Sequence, residues 1–187
     1  LNGYSSSDKS KYCNGGVILL TTRLSETRDL PDMLALDSKV WNYDNSPADL
    51  TKQTTLEQFA EHNPPGSQIV AELDGVFCGY VGMRPPTSLL SNRHVVELAI
   101  AVDSQFRGAG IGRALLEAAE KYAASQGKRK LYLRVLSSNT GAIAFYEKCG
   151  FILQGRMVEE FFINGRYVDD LLMYKPLEAV KLPTTLD

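Results

Sequence analysis

The sequence predicts an α/β protein built on one mixed, mostly antiparallel sheet. Three observations carry this. Short apolar runs recur at strand length along the whole chain. Asp74-Gly75 and Asn164-Gly165 each sit between two such runs, as hairpin turns do; Asp74-Gly75 suits a type I′ turn, whose two central residues both need positive φ. A single strong helical stripe, 111–125, separates two apolar runs, which is the pattern of one parallel crossover.

Val17–Leu20 is the first apolar run. Residues 30–41 carry Met33, Leu34, Leu36, Val40 and Trp41 at helical spacing, with Pro31 where a first helical turn tolerates it. Residues 42–53 are polar and hold Pro47, so they form a loop. Thr55 and Gln58 make a T-x-x-Q capping box for a short helix that stops before Pro64-Pro65-Gly66. Strands follow at 68–73 and 76–83, a loop at 84–93 and a buried strand at 94–102. The helix at 111–125 ends at Gly127, and a strand at 131–136 leads to a short helix at 142–149 closed by Gly150. A hairpin of 151–163 and 166–174 completes the order β-α-α-β-β-β-α-β-α-β-β.

With 187 residues, 44% of them hydrophobic, the chain can bury one sizeable core. We expect a single domain over 15–176, a flexible polar segment at 1–14 and a loose tail at 177–187. The balance of 20 Lys+Arg against 22 Asp+Glu argues against nucleic acid as the main partner, because phosphate-tracking proteins carry a basic excess. No apolar run reaches the ~18 residues of a membrane span. Cys13, Cys78 and Cys149 form no CxxC pair and no fully paired framework. With no signal-peptide order visible, a cytoplasmic, metal-free protein is expected.

The most informative segment is Val102-Asp-Ser-Gln-Phe-Arg107-Gly108-Ala109-Gly110-Ile111-Gly112-Arg113. It leaves a strand, turns tightly and opens the best helix of the chain. Glycines let the backbone approach a ligand closely, and the first N–H groups of the helix are unpaired and point outward with partial positive charge. A pyrophosphate fits that chemistry, with Arg107 and Arg113 adding charge on either side. A glycine-rich connector chosen only for close strand–helix packing is the plainer alternative. A dinucleotide fold is disfavoured: the spacing is GxGxG, the turn lies past mid-chain, and 131–136 ends without the acidic residue that holds a ribose. No Gly-Lys-Ser/Thr follows, so a Walker A loop is excluded.

Arg107-x-x-Gly110-x-Gly112 resembles the (R/Q)-x-x-G-x-(G/A) signature of the GNAT acetyltransferases. A second block, Ser138-Asn139 through Ala142 and Tyr146 to Gly150-Phe151, is similar to the family's N-x-x-A-x-x-x-Y-x-x-x-G-F segment. The likeness covers roughly residues 17–175. It implies the GNAT fold: a mixed, mostly antiparallel sheet of six to seven strands, a central parallel pair that splays apart, and helices on both faces. It implies acetyl-CoA as cosubstrate and transfer to a primary amine of a small molecule or peptide. The last hairpin, with Glu159, Glu160, Asp169 and Asp170, resembles that of spermidine and ribosomal-protein N-terminal acetyltransferases. Homodimers are common in the family, and the resemblance leaves that option open.

The same resemblance implies roles. Residues Ile100, Ala101 and Val102 would bond the pantetheine arm. Arg107, Gly108, Ala109, Gly110, Ile111, Gly112 and Arg113 would hold the pyrophosphate. Asn139 would touch the CoA arm, and Tyr146 would protonate the leaving thiolate, a step that a nearby donor assists. Glu97, five residues before Val102 as in phosphinothricin and several N-terminal acetyltransferases, is the candidate base; His94 is second. A strand Glu pointing to solvent and an aromatic packing on a helix are the plainer readings of Glu97 and Tyr146. Some members place a Glu where this chain has Arg134, so that base is absent. Cys149 reads as core rather than nucleophile. Trp41 and Tyr43 could shape the acceptor site, with helix packing the simpler reading for Trp41. The rival functions are an acyl-CoA-binding module without turnover and a nicotinamide enzyme using the glycine turn.

Overall fold

The computed structural model describes residues 7–13, 16–49 and 51–177, with side chains from residue 19 onward. Its elements are β1 (Ser7–Cys13), β2 (Gly16–Leu24), α1 (Leu30–Val40), α2 (Leu56–His62), β3 (Gln68–Leu73), β4 (Val76–Arg84), β5 (Val95–Val102), α3 (Ile111–Ser125), β6 (Lys130–Leu136), α4 (Thr140–Lys148), β7 (Ile152–Ile163) and β8 (Arg166–Pro176). The strands form one sheet in the order β1-β2-β3-β4-β5-β6-β8-β7. Every neighbouring pair is antiparallel except β5–β6. The expected fold class is what the structure has.

One strand is additional. Ser7–Cys13, expected to belong to a loose polar segment, pairs along β2 from Ser7↔Thr22 to Cys13↔Gly16. Its sequence, SDKSKYC, shows no apolar alternation, so nothing in its pattern marks it as a strand. Of the loose ends expected at 1–14 and 177–187, residues 1–6, 14 and 178–187 lie outside the described residues, while Leu177 is buried and its N–H donates to the Arg129 carbonyl.

Local chemistry explains the connections. Asp74 and Gly75 take φ of 51° and 78°, and Asn164 and Gly165 take 51° and 76°. Both hairpins thus have positive φ at both central residues, as type I′ turns require. Thr55 accepts from the Gln58 N–H while Gln58 accepts from the Thr55 N–H, completing the capping box of α2. Ahead of α1, Arg23 donates to both oxygens of Asp29, at 2.7 and 2.8 Å, and to Glu72. This ties β2, β3 and the start of α1 together.

The sheet is covered on both faces. On one side Ile111, Leu115, Ala118 and Ala119 of α3 pack with Ile69, Val81, Leu98 and Leu133. On the other, Met33 and Leu36 of α1 and Phe59 of α2 pack with Val70, Tyr80 and Ala101. Alternation along β5 sends Leu98 to the α3 side and Ala101 to the α1 side. β5 and β6 pair only through Val95↔Lys130, Val96↔Leu131 and Glu97↔Tyr132, although β5 runs on to Val102 and β6 to Leu136. Beyond Glu97 the β5 edge that faces β6 has no ladder partner, so the sheet opens at its centre.

Candidate active site

The opening leads to the glycine turn. Gly108 and Gly110 adopt φ of 82° and 87°, a region that a side chain makes costly. Gly110 is the N-cap of α3, and no side chain caps it. The first N–H groups of α3 are thus not satisfied by a cap and, with the dipole, make a site for an anion. Gly112 has a different reason. A Cβ there would stand 3.0 Å from the Phe145 ring, so Gly112 lets α3 and α4 approach.

A cavity of about 1080 Å³ runs from this turn into the gap between β5 and β6. That is just above the ~300–1,000 Å³ usual for small-molecule sites. It brings together Glu97, Ile100, Val102, Asn139 and Tyr146. It also takes in Arg107, Gly108, Gly110, Ile111, Gly112 and Arg113. Two expected residues lie off its wall. Ala101 is 1% exposed and packs in the core under α1, because strand alternation turns it away. Ala109 packs against the main core, and its N–H donates to the Phe106 carbonyl. Asn139 also caps α4, its side-chain oxygen accepting from the Ala142 N–H at 3.2 Å.

Tyr146 is 9% exposed, with the rings of Phe145 and Phe151 at 5.4 and 5.8 Å between centroids. No hydrogen bond to its hydroxyl is present among the described residues. A buried hydroxyl with no protein partner, on a cavity wall, is available to a ligand. Burial, with a smaller contribution from Cys149, pushes its pKa up to about 12, so it stays a proton donor.

The far end of the cavity is polar. Arg84 holds Glu97 through Nε at 3.1 Å and Nη2 at 3.2 Å. Arg134 Nε donates to Asp170 at 2.5 Å, and its Nη2 lies 3.9 Å from Glu160. The same guanidinium stands 6.0 Å from the Phe161 ring. Burial raises the pKa of Asp170, Glu160 and Glu97 add to this, and Arg134 opposes it. Five charged groups thus meet at this end of the cavity, three carboxylates and two guanidiniums, while Arg107, Arg113 and Lys148 line the wall by the glycine turn.

Other candidates fall elsewhere. His94 is exposed and off the cavity wall, as is Tyr43. Trp41 both lines the cavity and donates its indole N–H to Asp37, which also accepts from the buried Tyr80 hydroxyl. Burial raises the pKa of Asp37, the bonds from Tyr80 and Trp41 opposing it. Cys149 is a half-buried thiol off the wall, its pKa raised by burial. Of the hairpin carboxylates, Glu160 and Asp170 line the cavity and Glu159 and Asp169 do not. Among the described residues no group of three or more His, Cys, Asp or Glu is placed to hold a metal ion. No helix among them is long and apolar enough to cross a membrane.

Arg84 and Phe145 escaped the sequence reading. Arg84 faces Glu97 through the β4–β5 register, which a long loop connection leaves unspecified. Phe145 stands next to the motif tyrosine, and only its approach to Gly112 reveals its place. The Arg134–Asp170 pair is diagonal across β6–β8, where Arg134 opposes Leu172 and Leu136 opposes Asp170.

Comparison with known proteins agrees with this geometry. The profile of the acetyltransferase (GNAT) family matches residues 30–151. Over 79 residues the chain is 42% identical to the spermidine N(1)-acetyltransferase of Vibrio cholerae, a match that covers 42% of this chain and 46% of that protein. The chain spans about half the length of the curated relatives it matches. Among solved structures, smu.2055 of Streptococcus mutans UA159 superposes with a TM-score of 0.77 at 31% identity, covering 84% of this chain and 99% of that one. A phosphinothricin acetyltransferase of Sinorhizobium meliloti, solved in complex with AcCoA, shares the fold with a TM-score of 0.73 at 24% identity, covering 89% and 97% of the two chains.

Proposed function

The chain belongs to the GNAT acetyltransferase family, and from that premise we propose that it transfers the acetyl group of acetyl-CoA to a primary amine. One observation carries the reading: two parallel strands that part after Glu97 open into a single cavity that ends at the uncapped start of α3.

The pyrophosphate sits on the turn 107–113, where backbone N–H groups, the helix dipole, Arg107 and Arg113 all favour negative charge. Two relatives of the same fold were solved with acetyl-CoA, which supports this assignment. The pantetheine arm takes the place of the missing ladder along β5, bonding the free edge at Ile100 and Val102, with Asn139 on the opposite wall. The thioester then lies in the gap beside Tyr146.

The reaction is direct attack. The amine adds to the thioester carbonyl, a backbone N–H of the open β5 edge stabilises the oxyanion, and the C–S bond breaks. Tyr146 gives its proton to the departing thiolate, and the second proton shed by the new amide nitrogen restores the phenol through water. An alkylammonium has a pKa near ~10, so the nucleophile must first lose a proton, and Glu97, on the cavity wall, accepts it directly or through water. The relatives' names span spermidine, amino-acid and N-α acceptors, so the acceptor class stays at the level of primary amines.

Calorimetry with acetyl-CoA, followed by CoA release over polyamines, amino acids, aminoglycosides and peptide N-termini, tests the reading. Binding with release for at least one amine is expected. Binding with no release across the panel leaves a CoA-binding module and rejects transfer. Binding of NAD but not acetyl-CoA rejects the site assignment altogether.

A further inference from the structure

We propose that Glu160 is the carboxylate that receives the cationic acceptor, and that Asp169, from the other face of the same hairpin, is the positioning residue that holds it over the cavity. This rests on the transferase reading above.

The hairpin is irregular where the two carboxylates meet. Met157 pairs with Asp170 and Phe161 with Val168, so residues 158–160 of β7 stand opposite Asp169 alone. In a regular strand neighbouring side chains point to opposite faces. Glu160 and Phe161 are neighbours, yet both side chains reach the same guanidinium, that of Arg134. The bulge makes this geometry, because the extra residues re-aim a side chain. It turns on Glu159, which adopts φ of 53° although it is not glycine.

Asp169 holds that turn. One of its oxygens accepts from the Glu159 N–H at 2.7 Å, and the other accepts from Arg156 Nε at 2.5 Å. The residue is 8% exposed, and a charged acceptor on a backbone N–H makes a strong, directional bond. Asp169 is off the cavity wall, so its action on the site runs through the bulge.

Among the three cavity carboxylates, Glu160 is the one left for a ligand. Asp170 is 3% exposed at its side chain and bonded to Arg134, and Glu97, bonded twice by Arg84, is already assigned to proton removal rather than to holding the charge. Glu160 is 39% exposed at its side chain and touches Arg134 only at 3.9 Å. At this end of the cavity, away from Arg107, Arg113 and Lys148, three carboxylates against two guanidiniums leave one negative charge to meet an ammonium.

The test uses the full chain, with spermidine, L-methionine and an alanine-terminated peptide as amines. Glu160→Gln should raise the acceptor KM about tenfold, with kcat and the acetyl-CoA KM within about twofold. The Glu159 amide should keep its hydrogen-exchange protection in that variant. Asp169→Ala should produce the same rise in acceptor KM and speed exchange of the Glu159 amide at least about tenfold. Asp169→Asn keeps an oxygen for that amide and should fall between. An unchanged acceptor KM in Glu160→Gln overturns the assignment of the ligand. An unchanged Glu159 amide and KM in Asp169→Asn and Asp169→Ala overturns the positioning role, and if Asp169→Ala does not fold, Asp169→Asn decides. A wild-type chain that binds acetyl-CoA but acetylates none of the amines overturns the transferase reading itself, a result distinct from either of these.

Discussion

Arg84 and Glu97 face each other across the β4–β5 ladder, joined by contacts of 3.1 and 3.2 Å, at the last residue before β5 and β6 part. The proposed base is thus anchored rather than free. Its side chain is 14% exposed, while that of Arg84 is 72% exposed at the rim. Glu97→Gln should lower kcat by about a hundredfold, the usual scale for a general base. Arg84→Lys, which cannot make the two-contact fork, should cost less than Arg84→Ala. Steady-state CoA release checks both. A drop under about threefold in Glu97→Gln would assign proton removal to water alone.

Tyr146 should behave as an acid that never titrates in the working range. With its pKa pushed up to about 12 by burial, its hydroxyl stays protonated through neutral and mildly alkaline pH. The kcat profile should therefore show no falling limb from this group below about pH 10. Tyr146→Phe should lower kcat by about a hundredfold with little change in acetyl-CoA affinity. An unchanged kcat would mean that the thiolate leaves without this donor.

Gly110 should resist any side chain. At φ of 87° an alanine costs about 1 kcal/mol of strain, and its Cβ stands at the start of α3 where the diphosphate would lie. Gly110→Ala should weaken acetyl-CoA binding about tenfold by calorimetry. Gly79→Ala acts differently. Its Cβ would meet the Ala101 carbonyl oxygen at 2.7 Å, a backbone atom that cannot swing away. It should cost about 1–3 kcal/mol in chemical denaturation by displacing β5.

Asp29 should couple stability to pH. Burial would raise its pKa, but the bonds from Arg23 and the Glu26 N–H outweigh this and hold it low. A group whose folded pKa is depressed stabilises above its unfolded value of about 4 and loses that contribution as pH falls through the folded pKa. At neutral pH Asp29→Asn should cost about 2–3 kcal/mol, because it leaves the Arg23 guanidinium underpaired at a residue only 6% exposed. The difference from wild type should shrink below about pH 4. Urea melts at pH 7 and pH 3.5 measure it.

Much of the fold was legible. The 111–125 stripe, the Thr55–Gln58 box and the two hairpin dipeptides each encode their geometry within a few residues, and each appears where its chemistry requires. The edge strand Ser7–Cys13 was not, because its pairing is made by backbone groups that composition does not reveal. In the site, the glycine turn and Tyr146 stand in local motifs and could be placed by spacing. Arg84, Phe145 and the separation of Glu160 from Glu159 could not.

The sequence by itself determined every element but the edge strand Ser7–Cys13, their order and the glycine turn at 107–113, because capping, turn formation and amphipathic spacing act between residues close along the chain. Tertiary structure alone decided which charges meet. Arg84 finds Glu97, Arg134 finds Asp170, and Asp169 holds a bulge that swings Glu160 towards the cavity, all through cross-strand register. Register is settled by packing between segments distant in sequence, so no local pattern records it.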